Sequence, residues 1–382
     1  MRLAFAYESA YPWFNGGIEK RRYNILEELA SNPKNEIYMF TLYRKGMPGK
    51  AFTLNGVKYK CIGNATNIER MYKGARRRTA MSLKFAILLF FNLFKYRFDL
   101  IDTDSFPFLH IPLTFIYAKL TGAKLVITWH EVWSKDFWKD YFPILGFIGF
   151  FFERLAARMG SAHIANSYTT KTLLHKILKV KTSDIYVLPA AVNEKEINDF
   201  TEKYGSSCKK ENKFIVINRL VKHKRVDLAI KSIKKVNAEL VIVGEGPEKE
   251  NLEKLVDRYG ISTRVEFKSN LTPVELYKEL CTSVALIVTS EREGLSLVTV
   301  EALALGVPVV VADTTSLPKE LKALCAEARE DKLGSLLNEV LQHKEEYAKK
   351  YQQIKKLALS KFSSTKANAI YLEILKSKNK IK

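Results

Sequence analysis

The sequence predicts an α/β protein made of two parallel-sheet domains in series. Three observations lead to that class. The chain opens on a short apolar run, a glycine turn and a segment with helical apolar spacing, which together form the first unit of an open parallel sheet. The same alternation restarts after a polar stretch at 193–212. Finally, 382 residues, 47% of them hydrophobic, are enough for more than one core.

Arg2 to Tyr7 reads as a buried strand, Pro12 to Gly17 as a turn, and Ile18 to Ala30 as a helix with Ile25, Leu26 and Leu29 on one face. Short strands follow at Glu36 to Tyr43, near Leu100 to Ile101, and at Lys124 to Thr128, Ala162 to Ala165 and Ile185 to Val187, mostly bounded by helical material. The rhythm weakens over 193–212, which is the expected linker. Beyond it, strands are predicted at Phe214 to Ile217, Glu239 to Val243, Arg264 to Phe267, Val284 to Val288 and Val307 to Ala312. Helices are predicted between them at Val226 to Val236, Glu248 to Tyr259, Pro273 to Cys281 and Val298 to Leu305. The stretch from Asp331 to Lys376 reads as helical. The expected domains are therefore 1–192 and 213–350, with 351–382 as a helix returning toward the first.

Composition narrows the function. The formal charge of +21, from 62 Lys plus Arg against 41 Asp plus Glu, is compatible with nucleic acid, anionic lipid, a small anionic substrate or a lysine-rich surface, and only position separates these. Cys61, Cys208, Cys281 and Cys325 lie far apart without paired spacing. That argues against a zinc ribbon or a disulfide scaffold and fits a reducing compartment. The six histidines are scattered and no HExxH occurs, so no protein-bound metal is expected. The N-terminus meets charge too early for a secretory signal. The longest uncharged stretches, Ser105 to Ala118 and Tyr141 to Phe152, fall short of the ~18 to 20 residues needed to cross a bilayer.

Several motifs carry chemistry. Asn15-Gly16-Gly17 before a helix offers a close backbone approach to an anion, or is only a turn. Val243-Gly244-Glu245-Gly246-Pro247 ends a strand at the carboxyl edge of a parallel sheet, where open α/β proteins bind ligands; the plain reading is a strand-to-helix turn. Arg219 and Lys224, beside Lys222, His223 and Arg225, bring a planar fork and a point charge to one loop, which suits a diphosphate or is a solvated charge run. Glu293 and Glu301 stand eight apart, one in a loop and one on a helix. They can meet a sugar and a ribose, with the amides of Gly294, Leu295 and Ser296 at the helix start, or they only compensate the helix end. His130 ends the strand KLVITW and can hydrogen-bond a ligand or simply be satisfied within the fold.

Arg219 with Lys224, then VGEGP, then the two glutamates of EGLSLVTVEALALGVPVV resemble the retaining glycosyltransferases of family 4, which have GT-B architecture. NGGIEK resembles that family's N-terminal glycine loop, WHE its histidine loop, and ANSYTTK its ANSxxTK stretch, so the resemblance covers nearly the whole chain. It implies two Rossmann-like domains facing a cleft, with C-terminal helices returning to the first. It also implies that Arg219 and Lys224 neutralise the donor diphosphate and that Glu301 holds the ribose. Glu293 with the following amides would hold the sugar, Gly17 would approach the distal phosphate, and His130 would contact the sugar near the reacting carbon. Gly16, Gly244 and Gly246 join the expected donor site. No cofactor or metal is implied, because the nucleotide sugar is itself a substrate. Arg225, Ala190-Ala191 and Ser269 depart from glycine, Asn-Gly and glycine, so the base and sugar stay open among UDP, GDP and ADP hexosyl donors.

Between Arg70 and Arg97 eight Lys or Arg and no acid flank FAILLFFNLF, a composition suited to docking on anionic lipid near a polyprenyl-linked or glycolipid acceptor, or to a buried helix with a basic end. Trp129, Trp133, Phe137, Trp138, Tyr141 and Phe142 form a candidate acceptor lid. The expected enzyme is cytoplasmic, peripheral to the membrane, and does not bind nucleic acid. The alternatives are a GT-B-type nucleotide-sugar epimerase and a non-enzymatic binder of anionic lipid or nucleic acid.

Overall fold

A computed structural model of the chain describes residues 1–14, 16–65, 72–73, 76–77, 79–141, 146–291 and 293–377. Two units are present: Met1–Ala190 together with Ser364–Lys382, and Ala191–Ser363.

The strands of the first unit are β1 (Arg2–Ala6), β2 (Glu36–Tyr43), β3 (Ala51–Leu54), β4 (Val57–Asn64), the small hairpin β5 (Tyr72–Lys73) and β6 (Arg76–Arg77), β7 (Leu100–Asp104), β8 (Lys124–Trp129), β9 (Ala162–Ala165) and β10 (Ile185–Val187). The main sheet runs β10-β9-β8-β7-β1-β2-β4-β3 and is parallel except for β3 against β4. The period of two in β1 divides its side chains between the faces. Leu3 and Phe5 pack with Ile25, Leu26 and Leu29 of the helix Gly17–Ala30 and with Ala367, Tyr371 and Ile374 of the C-terminal helix Ala367–Lys376. Ala4 and Ala6 pack with Phe85, Leu89 and Leu93 on the opposite face. The β3–β4 hairpin is absent from the sequence-based expectation, although its tip, Asn55-Gly56, has both residues at positive φ (47° and 77°) and is a strong hairpin signal.

The second unit holds β11 (Lys213–Ile217), β12 (Glu239–Val243), β13 (Val265–Lys268), β14 (Ala285–Val288), β15 (Val309–Ala312) and β16 (Ala326–Ala328), all parallel, in the order β13-β12-β11-β14-β15-β16. Counted from its own first strand this is 3-2-1-4-5-6, the doubly wound order whose ligand crevice lies between strands 1 and 4. Two Rossmann-like parallel-sheet units with C-terminal helices match the expected fold class.

Two expectations change. Residues 193–212 are not a bare connection: Asn193 caps the helix Glu194–Tyr204 by accepting from the Lys195 and Glu196 amides, and Ile197 and Phe200 enter the core of the second unit. Polar composition conceals two apolar anchors one turn apart. The chain leaves this unit at 363/364 rather than near 351, because Tyr351, Ala358 and Phe362 of the helix Lys344–Phe362 are buried in the same core.

The cysteines also differ. Cys208 and Cys281, 73 residues apart, form a disulfide with Cα atoms 5.3 Å apart. The helix Glu194–Tyr204 packs on the helix Pro273–Thr282, with Phe200 edge-on to Tyr277 at 5.4 Å, and this packing brings the two cysteines together. A pairing made by tertiary packing leaves no short spacing in the sequence. Cys61 and Cys325 are free, and burial pushes their thiols up to about 11 and about 12. Among the described residues no helix is long and apolar enough to cross a membrane, and no group of three His, Cys, Asp or Glu stands ready to hold a metal.

Candidate functional site

In the second unit, Arg219 and Lys224 lie in the loop after β11, and Ser290 to Ser296 follow β14. Both loops therefore leave the carboxyl ends of the strands that flank the crevice. Thr289 Oγ1 donates to the Lys224 carbonyl (3.0 Å) and the Glu291 amide to the His223 carbonyl (2.9 Å), which ties the loops together. Lys224 Nζ donates to Glu293 Oε1 at 2.6 Å, with both side chains 11% exposed. Arg219 is exposed, and among the described residues no group pairs with its guanidinium. Glu301, on the helix Leu297–Ala304, is buried and accepts a long hydrogen bond from Tyr277 OH (3.4 Å). That helix has no acid in its first turn, so its N-terminal amides keep their positive end. Ser296 precedes it at φ 44°, its hydroxyl 2.7 Å from Thr299 Oγ1; Leu295 is buried beside Gly294.

Gly244 and Gly246 have a structural explanation. A Cβ on Gly244 would lie 1.9 Å from the Asn218 carbonyl oxygen, and one on Gly246 would lie 2.3 Å from that of Leu220. The amides of Asn218 and Leu220 donate to the carbonyls of Val243 (3.0 Å) and Glu245 (2.8 Å), zipping the Arg219 loop onto the GEG turn. The glycines thus set where Arg219 stands. Arg225 adopts the left-handed conformation (φ 51°, ψ 38°) that glycine favours, and is held there by Glu330 (2.7 Å) and Glu291 (3.2 Å). Ala190 also sits at positive φ (43°), and Asn270 (φ 56°) carries the turn beside Ser269.

In the first unit, Gly16 is the N-cap of the helix Gly17–Ala30. A Cβ there would stand 2.2 Å from Glu19 Oε2, so the helix start is already faced by a carboxylate, which Ser9 Oγ contacts at 2.5 Å. Asn15 lies outside the described residues, as do Arg70, Arg78, Phe142 and the side chains of Lys73, Arg76, Arg77 and Tyr141.

His130 follows β8, and its Nε2 lies 2.6 Å from Asp104 Oδ1. Asp102 and Asp104, two apart on β7, point to one face and are fully buried. Arg22 bridges them, NH1 to Asp102 at 3.1 Å and NH2 to Asp104 at 2.7 Å. Thr128 Oγ1 (2.8 Å) and Tyr371 OH also donate to Asp102. Burial works against ionising Asp104, but Arg22 and His130 overcome it and hold its carboxyl down at about 2. Burial pushes His130 below its ordinary value despite Asp104. Arg21 next door donates to the Leu188 and Pro189 carbonyls; burial and Arg22 bring it down to about 10. Sequence reasoning missed Arg21, Arg22, Asp102, Asp104 and Tyr371. The signals were present: two acids in an apolar strand, LIDTD, and adjacent arginines on the first helix.

The aromatic loop is not an open lid in its described part. Trp129 is fully buried with Nε1 3.0 Å from His163 Nδ1, and the Trp133 amide and Trp138 Nε1 each donate at 2.7 Å to Glu153. Burial raises Glu153 to about 8 against those two donors. The rings are packing around a buried carboxyl, which a count of aromatics cannot reveal. Asn166 and Thr170 of the ANSYTTK stretch have a clear role: Asn166 Nδ2 donates to the His130 carbonyl (2.7 Å), and Thr170 Oγ1 holds Asn166 Oδ1 (2.8 Å).

Two family models match consecutive parts of the chain: Glycosyltransferase Family 4 over residues 15–196 and Glycosyl transferases group 1 over 198–358. An uncharacterized glycosyltransferase of Methanocaldococcus jannaschii is 31% identical over 132 residues, 33% of this chain and 31% of that protein. A lipopolysaccharide core biosynthesis glycosyltransferase, LpsD of Rhizobium meliloti, is 35% identical over 102 residues, 26% and 29% of the two chains. The match thus spans about a third of the length of these curated relatives. Among solved structures, Anabaena HepE in complex with UDP superposes with a TM-score of 0.72 at 15% identity, covering 98% of this chain and 99% of that one.

Proposed function

This chain belongs to the GT-B glycosyltransferase superfamily, and on that footing we propose that it is a retaining glycosyltransferase moving a hexosyl unit from a nucleotide-sugar donor to a glycan or lipid-linked acceptor. One observation carries the reading: Arg219 and the Lys224–Glu293 pair stand at the crevice of a 3-2-1-4-5-6 sheet, with the buried carboxylate of Glu301 one helix turn beyond. The donor diphosphate takes Arg219 directly and draws Lys224 from Glu293, which frees that carboxylate for the sugar hydroxyls. Glu301 exchanges its long bond from Tyr277 for the ribose. As the bond from sugar C1 to the phosphate oxygen breaks, charge grows on the leaving diphosphate where the two cations and the helix amides stabilise it. The acceptor oxygen attacks C1 on the same face and its proton passes to the leaving phosphate oxygen. No step calls for a protein-bound metal.

The acceptor side of the proposal places the enzyme on the cytoplasmic face of an anionic membrane. The helices Thr79–Leu93, Ile111–Thr121 and Gly146–Met159 pack side by side and expose Ile87, Phe91, Ile116, Leu120, Phe147 and Phe151. Lys84, Lys119 and Arg158 are exposed among them, and the one acid of the three helices, Glu153, is buried. An apolar face edged by cations and free of exposed acid fits an anionic lipid surface.

Thermal-shift screening against nucleoside diphosphates and nucleotide sugars tests the donor site. Stabilisation by one base is expected; silence across the panel sinks the reading.

A further inference from the structure

His130 sits directly after β8 and is held by two hydrogen bonds, the second of them backed by an ion pair. Asn166 fixes its carbonyl, β8 fixes its backbone, Asp104 takes its Nε2, and Arg22 clamps Asp104 to Asp102. Asp102 is closed in turn by Thr128 and by Tyr371 from the C-terminal helix, whose ring also packs edge-on to Phe5 at 5.5 Å. All of these groups lie within the first unit. Arg21, Arg22, Asp102 and Asp104 are buried there, and burial holds the imidazole below its ordinary value, which leaves it neutral at pH 7.

We propose that Asp104, oriented by Arg22, is a positioning residue that locks His130 as the Nε2–H tautomer, so that Nδ1 faces the substrate as an acceptor and receives a sugar hydroxyl. An ionised carboxylate has no proton to give, so the 2.6 Å contact is a bond donated by Nε2–H. A neutral imidazole that donates through Nε2 offers only a lone pair at Nδ1. Nδ1 has no protein partner among the described residues, and the side chain remains 13% exposed. A hydroxyl can donate to that lone pair. A phosphate oxygen cannot, so His130 selects a sugar hydroxyl rather than clamping the diphosphate. This assignment rests on the transferase reading only for the identity of the ligand; the tautomer and its cause are properties of the protein alone.

The test has a spectroscopic arm and a kinetic arm. Long-range ¹H–¹⁵N spectra of the full chain labelled with ¹⁵N-histidine, with the His130 signals assigned by their loss in His130→Gln, should show the Nε2–H pattern at pH 7. Asp104→Asn should convert them toward a mixture of tautomers. In steady-state assays Asp104→Asn should lower kcat by at least about tenfold with donor KM little changed, the size expected for one misdirected hydrogen bond to a sugar hydroxyl that tightens in the transition state. In a His130→Ala background the same substitution should have little further effect. An Nδ1–H pattern in the wild-type protein overturns the proposal, as does an equal loss of kcat from Asp104→Asn with and without His130. Should Asp104→Asn fail to fold, Tyr371→Phe removes a donor from Asp102 one step further out, and the wild-type spectrum still decides the tautomer. Absence of transfer from every nucleotide sugar would overturn the functional reading while leaving that spectrum unaffected.

Discussion

Replacing Gly244 by alanine puts one methyl group into the closest backbone approach of the donor unit. The new Cβ would stand 1.9 Å from the Asn218 carbonyl oxygen, and separations under 3.0 Å are not sustained, so the loop must retreat by about 1 Å. The retreat strains two hydrogen bonds, Asn218 to Val243 and Leu220 to Glu245, each contributing about 1 kcal/mol. Forcing alanine into φ 149°, a region that essentially only glycine occupies, adds about 1 to 3 kcal/mol. Together they give a destabilisation of about 3 to 5 kcal/mol, a fall in melting temperature of about 6 to 20 °C for a unit of this size. Because Arg219 rides on the displaced loop, affinity for the nucleoside diphosphate should drop about 10- to 100-fold, the worth of one charge-assisted contact. Calorimetric melting and titration with that diphosphate read both effects. Gly260→Ala is the control: its φ of 65° carries similar backbone strain, but its Cβ would meet open space, so it should melt lower by a smaller amount and bind normally. A Gly244→Ala protein that behaves like Gly260→Ala would refute the zipped-loop argument.

Other perturbations follow the same logic. Arg219→Ala should weaken nucleoside diphosphate binding about 10- to 100-fold without changing the melting temperature of the free protein, since its guanidinium is exposed and supports no other group among the described residues; isothermal titration checks it. Glu153 should make stability fall with rising pH: its carboxyl, raised to about 8 from 4.5 in the unfolded chain, binds a proton in the native state that the unfolded state releases. The loss should approach about 1.4 kcal/mol per pH unit between those values, and Glu153→Gln should flatten the curve in denaturant melts at pH 5 to 8. Opening the Cys208–Cys281 bond with a reductant releases a 73-residue loop and should cost about 4 kcal/mol at most, read as a lower melting temperature that Cys281→Ser reproduces without reductant. Phe91→Asp with Phe151→Asp should abolish sedimentation with anionic vesicles while leaving nucleotide-induced stabilisation intact.

Much of the scaffold is legible along the chain because the parallel strands are short apolar runs. Glu36–Tyr43, Ala162–Ala165, Ile185–Val187 and Glu239–Val243 have the limits that their composition suggests. β3 and β4 are less visible because they alternate at the sheet edge, and β16, AEA, lacks apolar bulk. For the site, loop position was readable: Arg219, Lys224, Glu293 and Glu301 all follow strands that turn out to flank the crevice. What sets their state was not. The Lys224–Glu293 pair joins residues 69 apart, and Tyr371 reaches Asp102 across 269 positions, distances over which only folding speaks. The GEG turn shows the reverse case, a motif visible in the sequence whose glycines answer to a neighbouring loop's carbonyls.

The C-terminal helix carries a consequence for synthesis. Ala367, Tyr371 and Ile374 fill the same core as Leu3, Phe5 and Leu26, and Lys124 Nζ donates to the Ile374 carbonyl at 2.6 Å. On the ribosome the first 190 residues emerge without these partners, with a gap in one face of their sheet and Asp102 lacking its phenolic donor. The segment Ala191–Ser363 has its whole core in sequence before residue 364 is made. Vectorial folding is thus inverted for this chain: the unit translated second can finish first, and the unit translated first waits for the last helix.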